Sequence, residues 1–167
     1  MQFKDALTHV LLVEGGYVNN PKDPGGMTNL GVTKRALEEY LARSVSEEEM
    51  RALTRAGVED FYKKKYWLQT KCDKLPSGLD LVVFDTAVNS GPDRAARILQ
   101  ETLGVLTDGI IGPKTLLALK GRDTLLLMLD YLWYREDFLR RLSTWKTFGK
   151  GWAKRLRATR NRAILSV

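Results

Sequence analysis

The sequence predicts an all-α fold carrying one small β-hairpin close to its N-terminus. Three observations predict it. Apolar residues recur at i, i+3 and i+4 through most of the chain. Residues 17–32 (YVNNPKDPGGMTNLGV) are dense in Gly, Pro, Asn and Asp, which reads as turns and a short, irregular hairpin. No internal repeat or low-complexity stretch interrupts the pattern. At 167 residues the chain fits one domain, or one domain with two lobes, and it can bury a core without disulfides.

The elements follow in order. Phe3, Leu7, Val10, Leu11 and Glu14 share one face, so a first helix is expected over about 3–14. Gly15 and Gly16 end it, because glycine accepts a left-handed C-terminal conformation. After the hairpin, Thr33 caps a helix that runs to about Arg43. Ser46 and Glu49 form a capping-box pattern for a helix over 47–53. Further helices are expected over 55–66, 79–89, 93–103, 113–119, 124–145 and 151–165, with 104–113 (GVLTDGIIGP) as a turn-rich connector.

Composition narrows the functional classes. The formal net charge is +7, which favours a polyanionic partner: nucleic acid, an anionic membrane or an anionic cell-wall surface. No nucleic-acid-binding motif accompanies the charge, so no specific nucleic acid is expected. The single cysteine, Cys72, cannot form an intramolecular disulfide and reads as a small buried apolar side chain. The single histidine, His9, lies off the apolar stripe, where a surface position is expected, and cannot build a metal site by itself. No metal and no cofactor are expected, and the chain is expected to be a monomer. Residues 1–13 lack the apolar run of a secretory signal, and Asp130 breaks the run at 125–133, so neither reads as a membrane segment. The expectation is a chain made in the cytoplasm; if a cell wall is its partner, it reaches it only after export or membrane permeabilisation.

The chemistry concentrates between residues 14 and 28. Glu14 continues an apolar face yet stands beside two glycines at a helix end. A carboxyl half buried there is held protonated by desolvation and can donate its proton to a leaving oxygen. From periodicity alone, the ordinary surface glutamate near a helix end is the favoured reading. Asp23 follows nine residues later, and Thr28 five beyond that. A hairpin folding back over the helix end would set both opposite Glu14, and glycoside hydrolysis requires an acid facing a second carboxylate across the scissile bond. The alternatives are a turn aspartate in Lys-Asp-Pro-Gly and a structural hairpin threonine.

The stretch VEGGYVNNPKDPGGMTNLGVT (13–33) resembles the signature of glycoside hydrolase family 108, the phage and prophage muramidases. The resemblance continues through Tyr66-Trp67 and DTAVNSGPDRAARILQ (85–100). It then enters LGVLTDGIIGPKTLLAL (103–119), which is similar to the peptidoglycan-binding-like region of these proteins. It implies a lysozyme-like fold with two lobes around a cleft, a catalytic lobe over 1–90 and a helical, peptidoglycan-binding-like lobe over 91–167. It also implies cleavage of the β-1,4 bond between N-acetylmuramic acid and N-acetylglucosamine, lysing bacterial wall. The order Glu, Asp, Thr resembles phage lysozymes more widely, in which the glutamate is the acid while the aspartate and threonine position the attacking water. That implies inversion at the anomeric carbon. The Asp23-to-Thr28 spacing is one residue shorter than in many of them.

Other residues carry two readings. Asn89 faces a sugar with Asp85 supporting it, or Asp85 is a buried structural acceptor and Asn89 ends its helix. Tyr66 and Trp67 form a sugar-stacking platform, or they are core. The segment 146–162 carries seven Lys/Arg and no acid, as a solvated helix face or as a basic amphipathic helix drawn to anionic membrane or wall polymer. The rival to the enzyme is a non-catalytic wall-binding or secretion-assisting protein on the same scaffold.

Overall fold

The computed structural model describes residues 1–13, 17–19 and 27–167. Helices dominate, with one small antiparallel pair, as the periodicity predicts. The order is α1 (Phe3–Val13), β1 (Thr28–Asn29), β2 (Val32–Thr33), α2 (Lys34–Leu41), α3 (Glu47–Arg51), α4 (Arg55–Tyr62), α5 (Leu79–Ser90), α6 (Pro92–Leu103), α7 (Pro113–Leu117), α8 (Thr124–Arg141) and α9 (Trp145–Ile164).

The core is organised around α5. Every residue from Leu79 to Ala87 is buried, and α6, α8 and α9 pack directly against it. A helix apolar all round can only be a central one. α1 uses Ala6, Leu7, Val10 and Leu11 to lie across α4, α5 and α9. Phe3 at its start meets Trp67 and Phe84 edge to face, with ring centroids 5.4 and 5.9 Å apart.

Local signals set the helix starts. The Thr33 hydroxyl accepts from the Ala36 N–H, and Ser46 with Glu49 closes a complete capping box. The hairpin turn is Leu30-Gly31, with φ of 49° and 73°. Two left-handed residues in a two-residue loop match the twist of the flanking strands. That conformation costs a leucine roughly 1–2 kcal/mol. The Leu30 carbonyl accepts the Tyr62 hydroxyl at 2.8 Å, and its side chain packs on the core.

Two boundaries differ from the sequence pattern. The helix expected over 55–66 ends as α-helix at Tyr62 and continues as a π turn over Lys63–Trp67, closed by the Leu68 N–H on the Lys63 carbonyl. The last two helices meet at 142–144 rather than between 145 and 151, because Leu142 turns extended (ψ 135°). α9 therefore runs through both Gly149 and Gly151. Packing outweighs their weak helix propensity. A Cβ on Gly149 would lie 2.7 Å from the Trp145 indole, so only glycine lets that ring fold along its own helix.

Candidate active site

Glu14 and Asp23, the expected acid and its partner, lie outside the described residues, and the elements on either side of them are held firmly. α1 leads to Glu14 and is anchored at both ends, by Phe3 in the core and by Val10 and Leu11 near its close. His9 adds a cross-link: its Nε2 lies 3.1 Å from the Thr159 hydroxyl on α9. This corrects the surface position expected for His9. The ring is half buried, and that burial, together with Arg155 and Arg162, lowers its pKa against the opposing pull of Asp85.

Thr28 stands where the chain returns. It exchanges both backbone hydrogen bonds with Val18, at 2.8 Å each, and faces Thr33 across the hairpin. Directly opposed residues share a sheet face. Val18, Thr28 and Thr33 therefore line one face, and Asn29 and Val32 line the other, which is buried. Asn29 fixes that buried face by donating from Nδ2 to the Met50 carbonyl at 2.9 Å. On the outer face, Val18 is exposed and the Thr33 hydroxyl is occupied as a cap. The backbone groups of Thr28 are committed to Val18, so its hydroxyl is what remains for further chemistry. Tyr17 extends this region by donating to Glu47 at 3.0 Å beneath the Arg51 guanidinium.

The π turn separates the aromatic pair. Trp67 is 4 % exposed and packed against Phe3 and Phe84, so the core reading is the one the structure adopts. An indole so enclosed has no surface to offer a sugar, which corrects its expectation as half of a stacking platform. Tyr66 is half buried against Tyr62 and Phe61, with centroids 5.6 and 6.0 Å away. Tyr62 in turn holds the hairpin turn through Leu30. The Tyr66 cluster and the hairpin are thus tied together.

Asp85 is a structural acceptor, not a support for Asn89. It is fully buried and takes Arg135 Nη1 on Oδ2 at 2.7 Å and Arg155 Nε on Oδ1 at 3.0 Å. Burial pushes this carboxyl up, but the two guanidiniums outweigh it and hold it below the usual carboxylate range. The trio ties α5, α8 and α9 together. Sequence reasoning did not single out Arg135, although its spacing carried a signal: it sits four residues after Tyr131 and four before Leu139, on a stripe otherwise buried and apolar. Asn89 remains half buried at the C-terminal end of α5, and Gly91, not Asn89, caps that helix.

Cys72 is buried within reach of the Thr70 hydroxyl (3.1 Å), and burial pushes its thiol far up, as an inert side chain requires. Among the described residues no His, Cys, Asp and Glu gather as metal ligands, and no helix is long and apolar enough to cross a membrane.

Comparison with known proteins adds to this geometry. Residues 7–91 match the family model described as Glycosyl hydrolase 108, and residues 94–157 match one described as "Predicted Peptidoglycan domain". Among solved structures, SagA of Brucella abortus superposes with a TM-score of 0.87 at 42% identity, over 98% of this chain and 94% of that one. No curated protein matches the chain.

Proposed function

Because the chain belongs to the glycosyl hydrolase 108 family, we propose that it is an N-acetylmuramidase acting on the β-1,4 bond between N-acetylmuramic acid and N-acetylglucosamine in peptidoglycan. The observation that carries this reading is the joining of two matches on one chain. A glycosyl hydrolase domain spans Glu14, Asp23, Thr28, Tyr66 and Asn89, and a predicted peptidoglycan domain begins three residues after it ends. On this reading residues 1–90 form the catalytic part and 91–167 the wall-binding part.

In the proposed reaction Glu14 gives its proton to the glycosidic oxygen as the bond to the anomeric carbon breaks, and the bonding pair leaves with that oxygen. Water held by Asp23 and the Thr28 hydroxyl attacks the opposite face, and its proton passes to Asp23, so the configuration inverts. Thr28 is suited to holding water, because its backbone is immobilised by Val18 and its hydroxyl lies on the sheet face away from the core. Asn89 and Tyr66 are proposed to contact the sugar from the end of α5 and from the π turn.

Glu14→Gln tests this directly. It keeps size and hydrogen bonding but removes the transferable proton, so release of reducing ends from purified peptidoglycan should fall by about 100-fold or more. Turnover close to wild type would remove Glu14 from the mechanism. A wild type that binds wall but releases no reducing ends would leave a wall-binding protein.

A further inference from the structure

α8 and α9 pack through their inner faces and leave a groove of about 340 Å³ between their outer ones. Leu132 and Leu156 form part of its floor, Trp133 and Glu136 rim it on α8, and Arg157 and Arg160 rim it on α9. Trp133 is 64% exposed, more open than Phe148. A second depression of about 200 Å³ lies against the same indole, lined by Glu136, Asp137 and Arg140. The charges of this rim are not balanced internally. Glu136 is already held by Arg140, at 2.6 and 2.9 Å. Among the described residues neither Arg157 nor Arg160 has a hydrogen-bonding or ion-pair partner.

An exposed indole offers its ring to an apolar or sugar CH face, and a guanidinium matches a carboxylate as a two-pronged donor. The ligand that fits must carry both. The sugars of a wall glycan are neutral where the peptide is attached, and the carboxylates sit on the peptide stem. Glu136 and Asp137 are each held by the arginine four residues on, Arg140 and Arg141, so the charge left over at the groove is that of Arg157 and Arg160 and calls for a carboxylate. We propose that the α8–α9 groove binds the peptide stem of peptidoglycan, with Trp133 against the adjoining sugar and Arg157 and Arg160 on stem carboxylates. This rests on the peptidoglycan reading above and extends it to the recognition of the stem.

The arginines are exposed, so Arg157→Gln with Arg160→Gln should fold normally. Binding is read by sedimentation with purified sacculi in the Glu14→Gln background, using intact sacculi and sacculi stripped of stems by an amidase. Stripping should lower binding of the parent roughly 2- to 30-fold, the double substitution should lower it equally on intact sacculi, and the two losses should not add. Trp133→Ala should cost about tenfold. Lys71→Gln with Lys120→Gln, which removes the same charge outside the groove and outside the basic segment 146–162, should leave binding unchanged. Equal binding of parent and groove variant to intact sacculi overturns the proposal, as does undiminished binding of the parent to stripped ones. A loss confined to phosphatidylglycerol vesicles also overturns it, in favour of a membrane. Release of reducing ends by the wild type reports the muramidase reading separately: it fails if no ends appear, whatever the groove does.

Discussion

Arg155 and Arg157 stand two residues apart on α9 and do opposite things. Arg155 reaches inward, its side chain 11% exposed, and joins Arg135 on Asp85. Arg157 points into the outer groove beside Arg160. Two residues along a helix turn the side chain by about 200°, enough to move a cation from the core to the solvent side. The same division runs through α8, where Arg135 is fully buried and Trp133, two residues earlier, is open. Each helix therefore has an inner face that holds the molecule together and an outer face free to bind. Charge content alone does not tell them apart: a guanidinium beside a buried carboxylate is structure, and one without a partner is available.

Removing the carboxylate should break this contrast most severely. Asp85→Ala leaves two buried guanidiniums facing each other, and Nε and Nη2 of Arg135 already lack partners among the described residues. The expected loss is about 3–5 kcal/mol of stability, read from urea unfolding. A loss below about 1 kcal/mol would show that water reaches the cluster and that the ion pair is not holding the three helices.

The paired substitution comes next. Arg155→Gln should cost about 2 kcal/mol, since one of the two cations on Asp85 is lost and the other stays. Arg157→Gln should lie within about 0.5 kcal/mol of wild type. Equal effects would erase the distinction between the faces. For the same reason, a test of the basic segment 146–162 as an anionic-surface binder must leave Arg155 in place, because its loss acts through folding.

The smallest effect sharpens the inner side. His9 sits near the same cluster with its pKa lowered from the ordinary 6.5. A histidine whose folded pKa is depressed is neutral in both states well above 6.5 and contributes no pH dependence there. As pH falls below about 6.5 the unfolded chain takes up the proton first, so stability drops until the folded pKa is passed. Urea midpoints between about pH 7.5 and 5 should show this slope, and His9→Gln should flatten its share of it. An unchanged slope in the variant would assign the acid sensitivity elsewhere.

Much of this was legible in the residues themselves. Caps act over three or four positions, so Thr33, Ser46 and Glu49 announced their helices locally. The apolar run around α5 marked a helix, and Asp85 within it was legible as a buried structural acceptor. The family was legible in residues 13–33, which lie inside the matched range 7–91. What the chain could not show by itself were the choices that depend on a distant partner. Which cations answer Asp85 required α8 and α9 to come within 3.0 Å of it across 50 and 70 residues of sequence. The burial of Trp67 depended on a π turn that rotates it towards Phe3 and Phe84, a shift of phase that helical periodicity does not contain. The half-buried His9 depended on Thr159, 150 residues away. Short-range rules determined the elements and the motif. Rotation of each helix about its axis, settled only when all the faces are packed together, decided which charges hold the fold and which are left to meet a ligand.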